Sequence, residues 1–261
     1  MKDAARQAIY RYPVLARASH WLWVLALLVL VGSGLQIFNA SPNLDASDKS
    51  DAARRVLAIG SPAEGVGTTT IFGRTFVTTG WLGWTGDGMG SHGSHAFGAW
   101  LTIPGYQDLS GGRRWHLFFA WIAAFCWLAW LISSAIKGNL RKMVLAPSDL
   151  PKLWPMQAYY LKLRKTPPSY DIYNPLQKAA YTTVLFVIAP LVVLTGLALS
   201  PGIDAIANPL TTLFGGRQFA RLWHFAGMLL LLGFFAIHTF QVATQGFVNQ
   251  MRSMITGWYQ P

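Results

Sequence analysis

The sequence predicts an all-α integral membrane protein, a bundle of four transmembrane helices. Three observations carry that prediction. Of 261 residues, 52% are hydrophobic and only 12% charged, against roughly 25% charged in an average soluble domain. Four apolar runs reach about the 20 residues that a helix needs to cross a bilayer. The basic residues, finally, are divided unevenly among the connections between those runs.

The first run spans about Ala18 to Phe38 and follows basic residues, as the apolar part of a secretory signal would. Its length and the lack of a small-x-small cleavage site favour an uncleaved span. The connection 39–114 comes next, rich in Gly, Thr and Trp; a connection this long is uncommon unless it is functional. The second run, Trp115 to Ile136, holds Cys126, the only cysteine. One cysteine excludes an internal disulfide and any cysteine-based iron–sulfur or zinc cluster. Within the connection 137–178, Leu150 to Leu163 is a polar-aromatic stretch expected to lie along the interface as a short helix. The third run, Ala179 to Ser200, contains Pro190 and Gly196, which spanning helices tolerate. The fourth is Phe219 to Thr239. Residues 1–261 thus read as a single membrane domain.

Charge orients it. The N-terminus, the Ile136 to Lys178 connection and the C-terminus carry thirteen Lys/Arg against Asp3, Asp149 and Asp171; the other side carries eight against seven acids. The positive-inside rule then puts both termini in the cytoplasm and the 39–114 loop on the exterior side. A net charge of +11 suits topogenic and lipid-headgroup contacts. No nucleic-acid motif accompanies it, so nucleic acid is not an expected partner.

The histidines are the chemistry-bearing residues. His224 and His238 lie fourteen residues apart in the last run, a spacing of ~21 Å along a helix and within ~40° of one face. His20 opens the first run at the level of His238, and His116 opens the second at the level of His224. Two imidazoles from facing helices can fill both axial positions of a haem iron. Filling both favours electron transfer over catalysis at the metal. Two b-type haems are therefore expected, with His20, His116, His224 and His238 as iron ligands. Arg17-x-x-His20, Arg113-x-x-His116 and Arg221-x-x-His224 repeat one spacing on three helices. Residues three apart on a helix are neighbours, so each Arg would meet haem propionates in a charge-assisted pair. Arginines at span ends also serve as snorkelling anchors. Gly32, Gly34, Gly196 and Gly227 would let a porphyrin approach the backbone, or serve helix packing.

These residues resemble the di-haem cytochrome b subunits of Ni/Fe-hydrogenases, formate dehydrogenases and thiosulfate reductases, the thiosulfate-reductase-type branch most of all. The resemblance covers nearly the whole chain. It rests on Arg17-Ala18-Ser19-His20-Trp21, Gly34-Leu35-Gln36-Ile37-Phe38-Asn39, Gly112-Arg113-Arg114-Trp115-His116, Tyr173-Asn174-Pro175-Leu176-Gln177-Lys178 and the two-histidine last span. It implies the same histidine pairing. It also implies a bacterial inner-membrane cytochrome that links the quinone pool to a periplasmic oxidoreductase, with a molybdopterin enzyme as the fitting partner, and a quinone site beside the cytoplasmic haem. Tyr173, Asn174, Gln177 and Lys178 are candidates for that site, although Asn174 before Pro175 also reads as a helix N-cap. Trp81, Trp84, Trp100 and Tyr106 make the periplasmic loop the expected docking face, or else a membrane-surface belt. His92 and His95 lack a cysteine or carboxylate pair to complete a metal site, and an ordinary loop role is expected.

Two other function classes compete. A stand-alone haem oxidoreductase, such as a superoxide or quinone oxidase, needs no partner and would suit a short periplasmic loop. A haem-free transporter with histidine proton relays predicts intramembrane carboxylates, and none of the ten acids falls within a predicted span.

Overall fold

The computed structural model of the chain describes residues 8–260, so Lys2, Asp3 and Arg6 of the charge count lie outside the described residues. Four helices are long and apolar enough to cross a membrane: α1 (Val14–Phe38), α2 (Leu109–Ile136), α3 (Pro175–Leu199) and α4 (Arg217–Thr244). Local chemistry sets their starts. At α2 the Asp108 carboxylate accepts the Gly111 N–H at 2.7 Å, satisfying a donor that the first turn leaves orphaned. At α3, Asn174 and Gln177 form a reciprocal capping box, with Pro175 in the first turn where its missing N–H costs nothing. Leu22, Leu25 and Leu28 on α1, Leu117, Phe118 and Ile132 on α2, and Leu229, Leu230 and Ile237 on α4 are exposed. So much outward apolar surface suits lipid rather than water.

Helix α3 is not regular. Val184–Ile188 widens into a π turn just before Pro190. Proline has no N–H to give the preceding turn, and its ring crowds the carbonyl four residues back. A π turn relieves that crowding by moving the register one residue on. The carbonyl of Leu185, five residues before Pro190, instead accepts the Trp127 indole N–H at 3.0 Å. No water is needed to satisfy it within the bilayer.

The chain divides into two compact units, and each long helix contributes a part to both. One comprises 8–23, Phe125–Pro190 and 229–260. In it β1 (Ile9–Tyr10) pairs antiparallel with β8 (Trp258–Tyr259), and Arg11 lies over the rings of Tyr12 and Tyr259. The short helix Leu153–Tyr160 forms within the stretch read as interfacial. Buried Met156, the Asp149–Lys178 ion pair at 3.0 Å and the Asn174–Tyr160 hydrogen bond at 2.8 Å hold that connection together.

The other unit comprises Val24–Ala124 and Leu191–Met228. Here the expectation of an all-α chain is corrected. The 39–114 connection folds into an antiparallel sheet of β2 (Asn43–Asp45), β3 (Arg55–Ala63), β4 (Val66–Ile71) and β5 (Arg74–Val77), and a hairpin of β6 (Leu82–Gly86) and β7 (His92–Phe97). The reason lies in its turns and side chains. Phe72 and Gly73 both have positive φ, the geometry of a two-residue hairpin turn. β-Branched Thr68, Thr69 and Thr70 occupy β4, where such residues are favoured. Asn39, at the end of α1, pins the hairpin by giving its amide to Phe97 O at 2.9 Å and accepting Phe97 N–H at 2.8 Å. Leu35, Phe38, Leu44, Ile59, Ala96 and Phe97 form the core beneath. The molecule as a whole remains mostly helical.

Candidate cofactor site

The four span histidines meet in two pairs, one in each unit. His20 on α1 faces His238 on α4 with ring centres 6.3 Å apart and planes at 58°. His116 on α2 faces His224 on α4 at 6.1 Å and 63°. Two imidazoles gripping one metal from opposite sides, each nitrogen about 2 Å from it, have ring centres about 6 Å apart. Helical spacing explains the shared element: α4 runs unbroken from Arg217 to Thr244, and fourteen residues bring a side chain back almost to the same face.

The surroundings of the two pairs differ. At the second pair, His116 Nδ1 lies 3.1 Å from Ser33 Oγ and His224 Nδ1 lies 3.0 Å from Thr195 Oγ1. The residue after each hydroxyl is a glycine. A Cβ on Gly34 would sit 3.3 Å from His116 Cε1, and one on Gly196 would sit 3.2 Å from His224 Cε1. At the first pair, His20 packs edge-on against Trp21 and His238 lies flat against Phe234. The buried Nδ1 of His20 has no hydrogen-bond partner.

A family sequence model matches residues 11–257. The chain belongs to the prokaryotic cytochrome b561 family. Its relatives agree. It is 30% identical over 89% of either chain to a protein of Azospira oryzae named as the protein-methionine-sulfoxide reductase subunit YedZ1. It is 32% identical to a protein of Azotobacter vinelandii named as a Ni/Fe-hydrogenase B-type cytochrome subunit, over 41% of this chain and 49% of that one. A protein of Azotobacter chroococcum with the same name is 31% identical over the same shares. No solved structure matches. Prokaryotic cytochromes b561 are multi-pass membrane proteins of electron transport that carry b-type haem, and the hydrogenase-cytochrome resemblance read from the sequence falls within this family.

The residues present fit that group. Among the described residues no cluster of three or more His, Cys, Asp or Glu gathers as a site for a bare metal ion. Paired imidazoles instead suit an iron whose other ligands come from a porphyrin. Of the four glycines singled out by sequence, Gly34 and Gly196 border His rings, whereas a Cβ on Gly32 would meet Ile103 and one on Gly227 would meet Val192. Gly32 and Gly227 thus serve close packing.

Two of the three arginines singled out by sequence, Arg17 and Arg221, are engaged with backbone. Arg17 donates to the carbonyl of Ile255. Arg221 donates to Ser41 O at 2.8 Å and to Gln218 Oε1 at 3.0 Å. Arg113 is exposed on α2. At the proposed quinone residues, Asn174 and Gln177 cap α3, Lys178 pairs with Asp149, and Tyr173 packs edge-on against Tyr181 at 5.3 Å. His92 and His95 stand three apart on β7, and a strand turns such residues to opposite faces, so they do not form a chelating pair. Trp81 and Trp100 are exposed and pack edge to face at 6.1 Å, and Tyr106 is exposed nearby in sequence; Trp84 is half-buried. Sequence reasoning missed Ser33 and Thr195. The available signal was a hydroxyl residue followed by glycine, occurring once in each of two apolar runs.

Proposed function

We propose that this cytochrome holds two haem b groups, one between His20 and His238 and one between His116 and His224. It moves electrons across the bacterial inner membrane between the quinone pool and a periplasmic oxidoreductase. The supporting observation is the pair of ring-centre separations, 6.3 and 6.1 Å, each matching two imidazoles on one iron. When bound between those imidazoles, such a haem would supply a one-electron couple. Helix α4 gives one imidazole to each pair. Arg17, Arg113 and Arg221 would balance the propionates of such a group.

The charge bias of the connections supports a cytoplasmic side for His20 and His238, and the quinone belongs beside them. Burial, with Tyr12 adding to it, pushes the Tyr173 phenol above its ordinary value. It therefore stays protonated at neutral pH and able to donate to a quinone oxygen, and Asn174, Gln177 and Lys178, close to it in sequence, are the other residues we assign to that site. The partner docks on the sheet-bearing 39–114 segment, where Trp81 and Trp100 are exposed. Relatives named as reductase and hydrogenase subunits favour such a two-part enzyme, and a molybdopterin oxidoreductase is the partner we infer.

Pyridine haemochrome analysis of the purified protein tests the centre of this reading. The expected yield is two haem b per chain, falling to one in either His20→Ala or His116→Ala. A preparation without haem, or one haem that survives His224→Ala unchanged, overturns it.

A further inference from the structure

The two hydroxyls that touch the His116–His224 pair are held identically. Ser33 Oγ donates to Val29 O at 2.6 Å, and Thr195 Oγ1 donates to Leu191 O at 2.6 Å, each four residues back on its own helix. Such back-bonding is common in apolar helices and by itself means nothing more. But a hydroxyl has one proton. With that proton committed to the carbonyl, the 3.1 Å and 3.0 Å contacts to His116 and His224 must run from Nδ1–H to a hydroxyl lone pair. Each imidazole is thereby set as the Nδ1–H tautomer, with Nε2 left for a metal. The following glycine completes the arrangement. Its missing Cβ lets the Nδ1–Cε1 edge of the ring lie against the helix backbone.

We propose that Ser33-Gly34 on α1 and Thr195-Gly196 on α3 are twin positioning dipeptides that fix the tautomer and tilt of the His116 and His224 ligands and lower the potential of the haem they hold. This rests on the ligand pairing proposed above. An imidazole whose Nδ1–H is hydrogen-bonded is a stronger donor through its other nitrogen, and a stronger donor favours the more positively charged, oxidised iron. Among the described residues nothing equivalent supports His20, whose buried Nδ1 has no hydrogen-bond partner there. The two haems should therefore differ in potential, with the His116–His224 haem the lower for this contribution.

Spectroscopic redox titration of the purified cytochrome tests it, using Ser33→Ala and Thr195→Val. Val keeps the shape of Thr without the hydroxyl. Each variant should keep two haems and shift the oxidised-to-reduced ratio of one haem three- to tenfold towards reduction at a given potential. The tenfold limit is about 59 mV for one electron. The haem that moves should be the one missing from His116→Ala, and Ser33→Thr and Thr195→Ser should restore the native value. Unshifted potentials in variants with both haems intact, or equal shifts of both, overturn this proposal alone. A native protein without haem, or a His116→Ala variant that loses none, overturns the ligand assignment and this proposal with it.

Discussion

Asp149 lies near the start of the short helix Leu153–Tyr160, and its carboxylate accepts from Lys178 Nζ at 3.0 Å and from Ala146 N–H at 3.1 Å. The Lys178 bond holds its carboxyl below the ordinary range; burial opposes that and the Ala146 amide adds to it. A folded carboxyl that binds its proton less tightly than the unfolded one stabilises fully above the unfolded value near ~3.9, and the contribution disappears as pH falls through the lower folded value. Asp149→Asn should accordingly cost about 1–2 kcal/mol at pH 7. Thermal unfolding in detergent should show the gap to the native protein narrowing as pH falls below the unfolded value; a gap that does not narrow on acidification would contradict it. At this scale sequence was informative where residue type is rare for its setting. A histidine in an apolar run stands out, so the four histidines were legible. Ser33 and Thr195 were not, because hydroxyls back-bonded to their own helix are unremarkable until the facing ring is in place.

The break in α3 ties Pro190, the π turn and Trp127 into one device. Removing the indole donor in Trp127→Phe strands the Leu185 carbonyl in an apolar interior, at about 1–3 kcal/mol. Pro190→Ala supplies the missing N–H, so the double variant should regain most of that loss. A double-mutant cycle of thermal midpoints measures the coupling, and additive effects would refute the account. The four long helices were legible because a bilayer demands uninterrupted apolar length. The sheet in 39–114 was not, although Glu64-Gly65 and Phe72-Gly73 mark its two tight hairpins. Short strands rich in Gly and Thr carry little apolar alternation, and their burial comes from the core of Leu44, Ile59 and Phe97 rather than from any one strand's own pattern.

For the whole molecule, the uneven distribution of Lys and Arg sets an expected sidedness. In a Cys126→Ser background, a membrane-impermeant thiol reagent added to spheroplasts should label Glu64→Cys and spare Lys165→Cys. The opposite pattern would invert the topology and move the proposed docking face to the cytoplasm. Its four-helix architecture and family follow from a few local features, whereas the division into two units depends on pairings between distant segments. One of those units is assembled from three separate stretches of chain, and its histidines lie 218 residues apart. That has a temporal consequence. At a synthesis rate of about 5–20 residues per second, His20 waits roughly ten to forty seconds for His238 to be made. Strand β1 waits longer still for β8. Until then α1 carries an unmated imidazole, so under the proposed ligation this site can be loaded with both of its histidines only after His238 has been made.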